Sequence, residues 1–262
     1  MASREDLERI TSALSAARDV VAGIAPASLN VRTKTGGDPV SAADLAVDTL
    51  LRERLPGEGE GWLSEETADD GARLARRRVW VVDPLDGTKE FLAGIPEWAI
   101  SVGLVEDGVA TAGGVCNPAL GMMVVGGIGH GVQVNGAHAP PLSAEKALRG
   151  ARVLASRTET GRGEWARFAG ASFDVVPTGS VAWKLALLAA GRADATWTLT
   201  PKHEWDVAAG VALVLAAGGS VFGLDGRSLP FNRPHPRLPG LVACAPGLEP
   251  ELRALLGTPA LP

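Results

Sequence analysis

The chain has 262 residues, of which 46% are apolar, and it carries a formal net charge of −5. This composition supports one large domain or two closely packed subdomains. Because neutralising phosphates needs clustered Lys and Arg, the charge excludes a surface for a nucleic acid polymer. A solvated helix end accounts for the basic run Arg73–Arg78. The longest apolar run, Val207–Val221, is too short and too rich in glycine to cross a bilayer. With two cysteines in apolar surroundings and no apolar signal segment near Met1, we expect a cytoplasmic protein without a membrane partner.

The elements of the first half follow from apolar spacing and turn signals. Apolar residues at helical spacing predict a helix over residues 4–25, and the N-cap residue Ser41 predicts a second helix over residues 41–55. A continuous apolar run predicts a buried strand at Val79–Val82. Turn signals about every ten residues between Trp98 and Val134 predict an antiparallel meander.

The second half alternates between strand and helix patterns. The predicted elements are a strand at Arg152–Ala155, a short helix from Trp165, a helix at Ser180–Ala190, a strand at Ala195–Leu199, a buried helix at Trp205–Ala217, a strand at Gly240–Cys244 and a helix at Leu248–Leu256. We therefore predict an α/β protein with helices layered on two sheets. Residues 1–150 would form an N-terminal α+β subdomain with most of the metal ligands, and residues 151–262 a C-terminal α/β subdomain that completes the active site.

Two carboxylates end the predicted buried strand in the stretch WVVDPLDGTKEF. Asp83 and Asp86 are three residues apart at a strand-to-loop transition, where both can turn into one pocket, and Gly87 permits a tight turn. Thr88–Phe91 is typical of a first helical turn, whose free N–H groups bind phosphate readily. Phosphate beside two carboxylates requires cations between them, and Mg²⁺ with oxygen ligands meets that need. The alternative is a simple turn capped by Asp83.

Further acidic residues lie at the ends of other predicted elements. Glu65 and Glu66 follow a short apolar segment, and Asp44 and Asp206 each open an apolar helix. Each of them could be a plain cap. Four acidic clusters at element ends favour one cation site built from several carboxylates.

Two segments, DPLDGTKEF (Asp83–Phe91) and EWDVAAGVALVLAAGG (Glu204–Gly219), resemble the paired signatures of the inositol monophosphatase-like superfamily of metal-dependent phosphatases. Further similar segments occur in the expected order: DPVSAADLAVD (Asp38–Asp48), LSEE (Leu63–Glu66), VQVNGAHAPPLS (Val132–Ser143), GSVAWKLALLAAGRADA (Gly179–Ala195) and LDGRSLPFN (Leu224–Asn232). The resemblance covers residues 30–235 and is specific because the motifs occur together.

The resemblance implies an α-β-α-β-α layered fold and hydrolysis of a small phosphorylated metabolite with two or three Mg²⁺ ions and inhibition by lithium. It implies metal ligands at Glu65, Asp83, the carbonyl of Leu85, Asp86 and Asp206. It assigns catalysis by metal-activated water to Thr88, Asp44 and Glu65. It assigns substrate binding to Asp86, Gly87, Thr88, Gly179, Ser180, Lys184 and Glu204. A homodimer is left open.

The substrate is indicated by fewer residues. Within the superfamily, the Lys-Glu-Phe ending of DGTKEF resembles the 3'(2'),5'-bisphosphate nucleotidase branch, and Lys184 is similar to a lysine that meets a second phosphate there. The spacing from Gly179 to Lys184 is closer to the inositol branch. We therefore favour adenosine 3',5'-bisphosphate over inositol 1-phosphate, with fructose 1,6-bisphosphate and histidinol phosphate as further candidates. Lys184 could instead be a solvated residue on an exposed helix face. The alternative from another class of function is a non-catalytic protein that binds a small molecule or a metal on the same scaffold.

Overall fold

The computed structural model describes residues 2–24, 32–33 and 39–259. The helices are α1 Arg4–Gly23, α2 Ala42–Arg54, α3 Thr88–Leu92, α4 Arg157–Gly161, α5 Val181–Ala189, α6 Glu204–Ala216 and α7 Glu249–Leu256. The strands of the first half are β1 Arg32–Thr33, β2 Pro39–Val40, β3 Gly61–Ser64, β4 Arg78–Asp86, β5 Ala99–Glu106, β6 Val109–Asn117, β7 Met122–Gly127, β8 Gly131–Val134 and β9 Ala137–His138. Those of the second half are β10 Arg152–Ser156, β11 Asp174–Thr178, β12 Ala195–Thr198, β13 Lys202–His203, β14 Ser220–Phe222, β15 Arg237–Leu238 and β16 Leu241–Cys244.

The elements predicted from the sequence are confirmed within a few residues. The first helix ends at Gly23, and Ala25 lies outside the described residues, as does Asp38 of the third motif. The helix start at Ser41 is confirmed, since its hydroxyl accepts a 3.2 Å hydrogen bond from the backbone N–H of Ala43. The short helix after Trp165 is a single 3₁₀ turn.

Two large sheets follow one another along the chain. The first has seven strands in the order β3-β4-β5-β6-β7-β8-β9, in which β3 and β4 are parallel and the remaining neighbours are antiparallel. This arrangement confirms the predicted meander. The second has five strands in the order β11-β10-β12-β16-β14. The predicted boundary near residue 150 falls between the two sheets, and the division into two subdomains stays a prediction.

The first sheet is buried on both faces, which explains why β4 reads as a continuous apolar run. Side chains alternate along a strand. Trp80 and Val82 therefore pack with α1 and α2 on one face, while Val79 and Val81 pack with α5 and α6 on the other.

Helices α5 and α6 form a layer between the sheets, since α6 contacts β4 to β7 and also β14 and β16. On the far face of the second sheet, Trp197 and Val242 pack in one apolar cluster with Leu252 of α7. The layers are thus α1 and α2, the first sheet, α5 and α6, the second sheet, and α7 with neighbouring turns. This order confirms the predicted α-β-α-β-α fold. No helix in the described ranges is long and apolar enough to cross a membrane.

Helix α6 lies unusually close to the first sheet because two strand positions have no side chain. A Cβ atom added at Gly113 would lie 2.7 Å from the Cα of Ala209, and one added at Gly103 would lie 2.9 Å from the Ala209 nitrogen. Both distances are too short for real contacts. These glycines therefore fix the depth at which α6, and Asp206 in its first turn, rest on the sheet.

Candidate active site

The parallel pairing of β3 with β4 brings two of the predicted carboxylates to the same edge of the first sheet. Ser64 is the register partner of Val82, and the backbone N–H of Glu65 donates a 3.3 Å hydrogen bond to the Val82 carbonyl. Glu65 directly follows β3 and Asp83 is the next residue of β4, so the two residues lie side by side.

A bulge in β4 explains how Asp83 and Asp86 face one cavity. In a regular strand, residues three apart point to opposite faces. Here Asp83 pairs with Ser101 while Asp86 pairs with Ala99, so the register shifts between the two carboxylates. Such a bulge re-aims side chains. Asp83 also accepts a 3.0 Å hydrogen bond from the backbone N–H of Leu85, as the simple turn-capping interpretation requires.

Asp206 comes to the same cavity from the first turn of α6. Its carboxylate accepts a 2.9 Å hydrogen bond from the backbone N–H of His203 and so caps the helix. Capping and facing the cavity are therefore compatible, because a carboxylate has two oxygens and several lone pairs.

The four carboxylates Glu65, Asp83, Asp86 and Asp206 lie close together, and their charges raise the pKa of two of them, Asp83 and Asp206. Burial, followed by the charges of Glu65, Asp86 and Asp206, raises the pKa of Asp83 well above its ordinary value. Burial and the charges of Asp86 and Glu65 raise the pKa of Asp206 to about 8. A divalent cation would relieve this repulsion.

The chemistry of these donors fits Mg²⁺, which takes hard oxygen ligands. Among the described residues, no group of three or more His, Cys, Asp or Glu side chains is already arranged so that it could hold an ion. The fit therefore lies in the type and proximity of the donors, not in a finished coordination shell.

Thr88, the predicted catalytic threonine, lies beside Asp44. Its hydroxyl is 3.3 Å from one Asp44 carboxylate oxygen and 3.1 Å from the Leu85 carbonyl, both acceptors. The other Asp44 oxygen accepts hydrogen bonds from the backbone N–H and the hydroxyl of Ser41, at 2.8 and 2.6 Å. The start of α2 thus holds Asp44 behind Thr88, outside the cavity wall.

The start of α5 is joined to the carboxylates. Ser180 has a φ of +54°, which is uncommon for a residue with a side chain, and its hydroxyl donates a 2.7 Å hydrogen bond to Asp86. Asp86 also accepts a 2.6 Å hydrogen bond from the backbone N–H of Ala182. The neighbouring Gly179 donates its N–H to Glu97 at 2.7 Å. A Cβ at Gly179 would lie 2.7 Å from the Glu97 carbonyl, so only glycine fits.

Lys184 is buried in the cavity wall, so the alternative of a solvated lysine on an exposed helix face was wrong. Only 4% of the residue is exposed. Its ammonium donates to the carbonyls of Ser180 at 2.9 Å and Thr178 at 3.3 Å. Burial lowers its pKa to about 8, although the charge of Asp86 acts in the opposite direction.

These groups enclose one cavity of about 260 Å³. Its lining comprises Glu65, Asp83, Leu85, Asp86, Gly87, Thr88, Lys89, Glu90, Ser156, Arg157, Thr158, Gly179, Ser180, Val181, Lys184, Lys202 and Asp206.

The sequence profile of the inositol monophosphatase family matches residues 4–256. The chain belongs to the inositol monophosphatase family. A 3'-phosphoadenosine 5'-phosphate phosphatase from Mycobacterium leprae is 31% identical, over 97% of this chain and 96% of its own length. An inositol-1-monophosphatase from Mesorhizobium japonicum is 35% identical, over 76% of this chain and 77% of its own. The structure of the Thermotoga maritima IMPase superposes with a TM-score of 0.81 at 25% identity, covering 97% of this chain and 96% of that one.

Membership of the inositol monophosphatase family makes the protein a phosphoric monoester hydrolase. Relatives in this family act on small phosphorylated substrates, and the family uses a divalent metal, typically Mg²⁺. The predicted family and enzyme class are confirmed.

Several cavity residues of this family member were missed in the sequence. Arg157 follows β10 directly, and the position of Ser156 and Arg157 at the carboxyl end of a strand was the available signal. Lys202 stands just before the EWD motif, where its proximity to Asp206 was the signal. Glu97 lies outside the cavity lining but binds two lining residues, Gly179 and Arg157, and no local signal in the sequence indicates it.

Glu204, predicted to bind substrate, is not in the cavity wall. Its side chain is fully buried, and its two carboxylate oxygens accept hydrogen bonds from the backbone N–H groups of Asn232 at 2.7 Å and Arg233 at 3.1 Å. The prediction was wrong because the first turn of α6 directs residues 204 and 206 to different sides: Asp206 faces the cavity, whereas Glu204 faces the loop at residues 231–233.

Proposed function

We propose that this phosphatase hydrolyses adenosine 3',5'-bisphosphate with the help of two or three Mg²⁺ ions. The observation that carries the proposal is the charge distribution in the cavity. Among the described residues, four cationic side chains line the wall that also holds the carboxylates: Lys89, Arg157, Lys184 and Lys202. A monophosphate engaged by Mg²⁺ does not need them all, whereas a substrate with a second phosphate supplies the charge that they would meet.

In this mechanism, the ions would be held by Glu65, Asp83, Asp86, Asp206 and the carbonyl of Leu85. When bound, Mg²⁺ supplies Lewis-acid chemistry, which offsets charge on phosphoryl oxygens and favours deprotonation of water.

Thr88 orients the attacking water. Its hydroxyl has one proton and two acceptors in reach, the carboxylate of Asp44 and the carbonyl of Leu85. When that proton is donated to either acceptor, the hydroxyl oxygen can accept a hydrogen bond from water. Asp44 keeps this orientation because Ser41 fixes its other oxygen. The backbone at Gly87 and Thr88, and Gly179 and Ser180 at the start of α5, would border the phosphate.

Lys184 and Lys202 would meet the second phosphate. The two side chains line one wall, and the charge of Lys202 contributes to lowering the pKa of Lys184. An anion between them would relieve that repulsion. Two of the three ammonium N–H groups of Lys184 are committed to carbonyls, which leaves one for a ligand.

Inositol 1-phosphate is the second candidate. The two backbone carbonyls that hold Lys184 would keep the side chain in place without any second phosphate, and the relative from Mesorhizobium japonicum is named an inositol-1-monophosphatase.

The test is phosphate release from four substrates: adenosine 3',5'-bisphosphate, inositol 1-phosphate, fructose 1,6-bisphosphate and histidinol phosphate. The enzyme is first dialysed against a chelator and then assayed with and without Mg²⁺. We expect hydrolysis to depend on Mg²⁺, to be inhibited by Li⁺ and to have the highest kcat/KM for adenosine 3',5'-bisphosphate. A higher kcat/KM for inositol 1-phosphate would refute the substrate proposal, and equal rates with and without Mg²⁺ would refute the metal proposal.

A further inference from the structure

Outside the cavity, three polar side chains tie the segment after β3 to the start of α6. Arg73, Asn232 and Glu204 form this connection, the clamp. Arg73 is only 2% exposed, so the prediction that its basic run is a solvated helix end was wrong for this residue. Its guanidinium donates to the Asn232 side-chain oxygen at 2.8 Å, to the Arg233 carbonyl at 2.9 Å and to the Asp69 carboxylate at 2.7 Å.

The second half of the clamp is a carboxylate held by a turn of backbone. Asn232 has a φ of +56°, and the consecutive N–H groups of Asn232 and Arg233 both donate to Glu204. Successive backbone N–H groups in a turn form a concave anion site, and here the anion is a side chain of the same protein. The Asn232 amide also donates to the Arg73 carbonyl at 3.3 Å, so the connection to Arg73 runs in both directions.

The clamp acts on two of the four carboxylates. Asp83 and Asp86 belong to β4, which has a strand on each side, whereas Glu65 follows the edge strand β3 and Asp206 lies at a helix end. Arg73 packs against β3, since a Cβ at Gly61 would lie 3.0 Å from the Arg73 Cβ. Glu204 is two residues before Asp206. Because like charges repel, the carboxylates on the less constrained elements need such ties to stay near the others.

We propose that the clamp is a positioning device that keeps Glu65 and Asp206 close enough to Asp83 and Asp86 to bind a divalent cation. Among the described residues that line the cavity, none is Arg73, Asn232 or Glu204, so the clamp would act only through the carboxylates. The inference rests on the metal role given under Proposed function, and it assigns to Glu204 a role in place of substrate binding.

The test measures metal binding directly, with Mn²⁺ alone titrated calorimetrically into the metal-free protein. Arg73→Lys removes the planar fork of donors, and Glu204→Gln places an amide N–H₂ group against the two backbone N–H groups. Asn232→Gly is a milder variant, since glycine tolerates the positive φ and keeps the backbone N–H that donates a hydrogen bond to Glu204. We expect the dissociation constant for Mn²⁺ to rise by about ten-fold or more in the first two variants, as is usual when residues that orient metal ligands are replaced, and to rise less in the third.

Arg253→Lys is the matched control. Arg253 is also a nearly buried arginine, and it binds an acid four residues earlier, Glu249, together with the carbonyls of Gly226 and Pro259. It belongs to α7, on the far side of the second sheet. The unfolding temperature of each metal-free variant shows how far it is destabilised. We expect Arg253→Lys to lower this temperature and to leave the affinity for Mn²⁺ unchanged.

Each outcome decides between the proposals. Wild-type affinity in all the clamp variants that fold, with the wild type binding normally, overturns the inference and leaves the proposed function standing. An equal loss of affinity in Arg253→Lys attributes the effect to general destabilisation and also overturns it. Failure of the wild type to bind Mn²⁺ overturns the metal role and the inference with it. The double variant Arg73→Lys/Glu204→Gln tests whether the two residues act together. If its Mn²⁺ dissociation constant rises by less than the product of the two single-variant rises, this supports the inference that both residues act through the same loop.

Discussion

The carboxylate of Asp86 accepts a 2.7 Å hydrogen bond from the hydroxyl of Ser180, a residue 94 positions later in the chain. The same oxygen accepts a hydrogen bond from the N–H of Ala182, so one side chain both lines the cavity and caps α5. Replacing Asp86 would therefore disturb a helix as well as a proposed metal ligand. Asp83 and Asp206 accept fewer hydrogen bonds from the protein than Asp86 does. They are therefore the better residues for testing the metal site.

We expect Asp83→Asn and Asp206→Asn each to lower Mg²⁺-dependent hydrolysis by at least about 10³-fold, because bound ions contribute several kcal/mol of charge stabilisation to the transition state. An asparagine side-chain oxygen can still accept the hydrogen bonds from Leu85 and His203, so the fold should persist. Phosphate release at saturating Mg²⁺ measures the effect, and circular dichroism checks the fold. Near-normal turnover in either variant would contradict the assignment.

The stability of the metal-free protein should depend on pH through Asp206. Its folded-state pKa of about 8 is above its ordinary value, so the folded state binds the proton more tightly than the unfolded state. The stability that this contributes is complete below the unfolded pKa of about 4 and is lost as the pH rises towards 8. We expect the unfolding temperature of the wild type to fall over that range more than that of Asp206→Asn. Parallel curves for the two proteins would contradict this prediction.

Thr88→Ala should slow the chemical step while substrate binding persists. Positioning and proton transfer by a side chain contribute about 10²–10⁴-fold to rate, and the variant keeps the backbone N–H of residue 88. We therefore expect kcat to fall within that range and KM to change little. Thr88→Ser is the matched control, because it restores a hydroxyl beside Asp44. A raised KM with unchanged kcat would show that Thr88 only binds substrate.

Lys184→Met should separate the two candidate substrates, since methionine fills the buried space without the charge. A charge-assisted hydrogen bond is worth about 1.5–3 kcal/mol, or roughly ten- to over a hundred-fold in specificity. We expect kcat/KM to fall by at least about ten-fold for adenosine 3',5'-bisphosphate and to change little for inositol 1-phosphate. Lys146→Met, at a surface lysine paired with Asp194, should change neither value. Equal losses on both substrates would remove the basis of the nucleotidase proposal.

The same lysine predicts a pH dependence. Burial lowers the pKa of Lys184 to about 8, so its ammonium loses its proton within the assay range. Because kcat/KM reports ionisations of the free enzyme, its value for adenosine 3',5'-bisphosphate should fall as the pH rises above about 8. In Lys184→Met, this additional decline should be absent. The pH profile of kcat/KM for adenosine 3',5'-bisphosphate should then follow the variant's own profile for inositol 1-phosphate. A wild type whose two substrates share one profile would contradict a specific role for the ammonium.

Gly113→Ala should lower the free energy of unfolding by about 1–3 kcal/mol or more, because the added methyl group overpacks the core. The added Cβ would lie 2.7 Å from the Ala209 Cα, and neither backbone can move freely. Since the displaced helix carries Asp206, activity should also fall at temperatures where the variant is folded. Urea unfolding gives the free energy. Gly23→Ala is the control, because a Cβ there meets no atom within 4 Å. Equal stability of both variants would refute the close packing of α6.

The sequence by itself determined what depends on short stretches of chain. Helix and strand positions follow from apolar spacing, because each element must direct one stripe or face to the core. The stretch DPLDGTKEF encodes a strand end, a turn and a helix start within nine residues, and its functional side chains share one cavity because so little backbone separates them. Their catalytic and metal-binding roles stay predictions until the variants are measured.

Only the tertiary structure decided which distant residues meet. The approach of Arg157 and Lys202 to the cavity, and the buried position of Lys184, depend on how α5 and α6 lie between the sheets. Glu204 shows the limit most clearly, since it is only two positions before Asp206 and yet its side chain faces another loop. The physical reason is that sequence patterns record which side of an element is apolar. The direction of its polar side chains is set by how close the packed elements lie, and here glycines in β5 and β6 control that distance for α6.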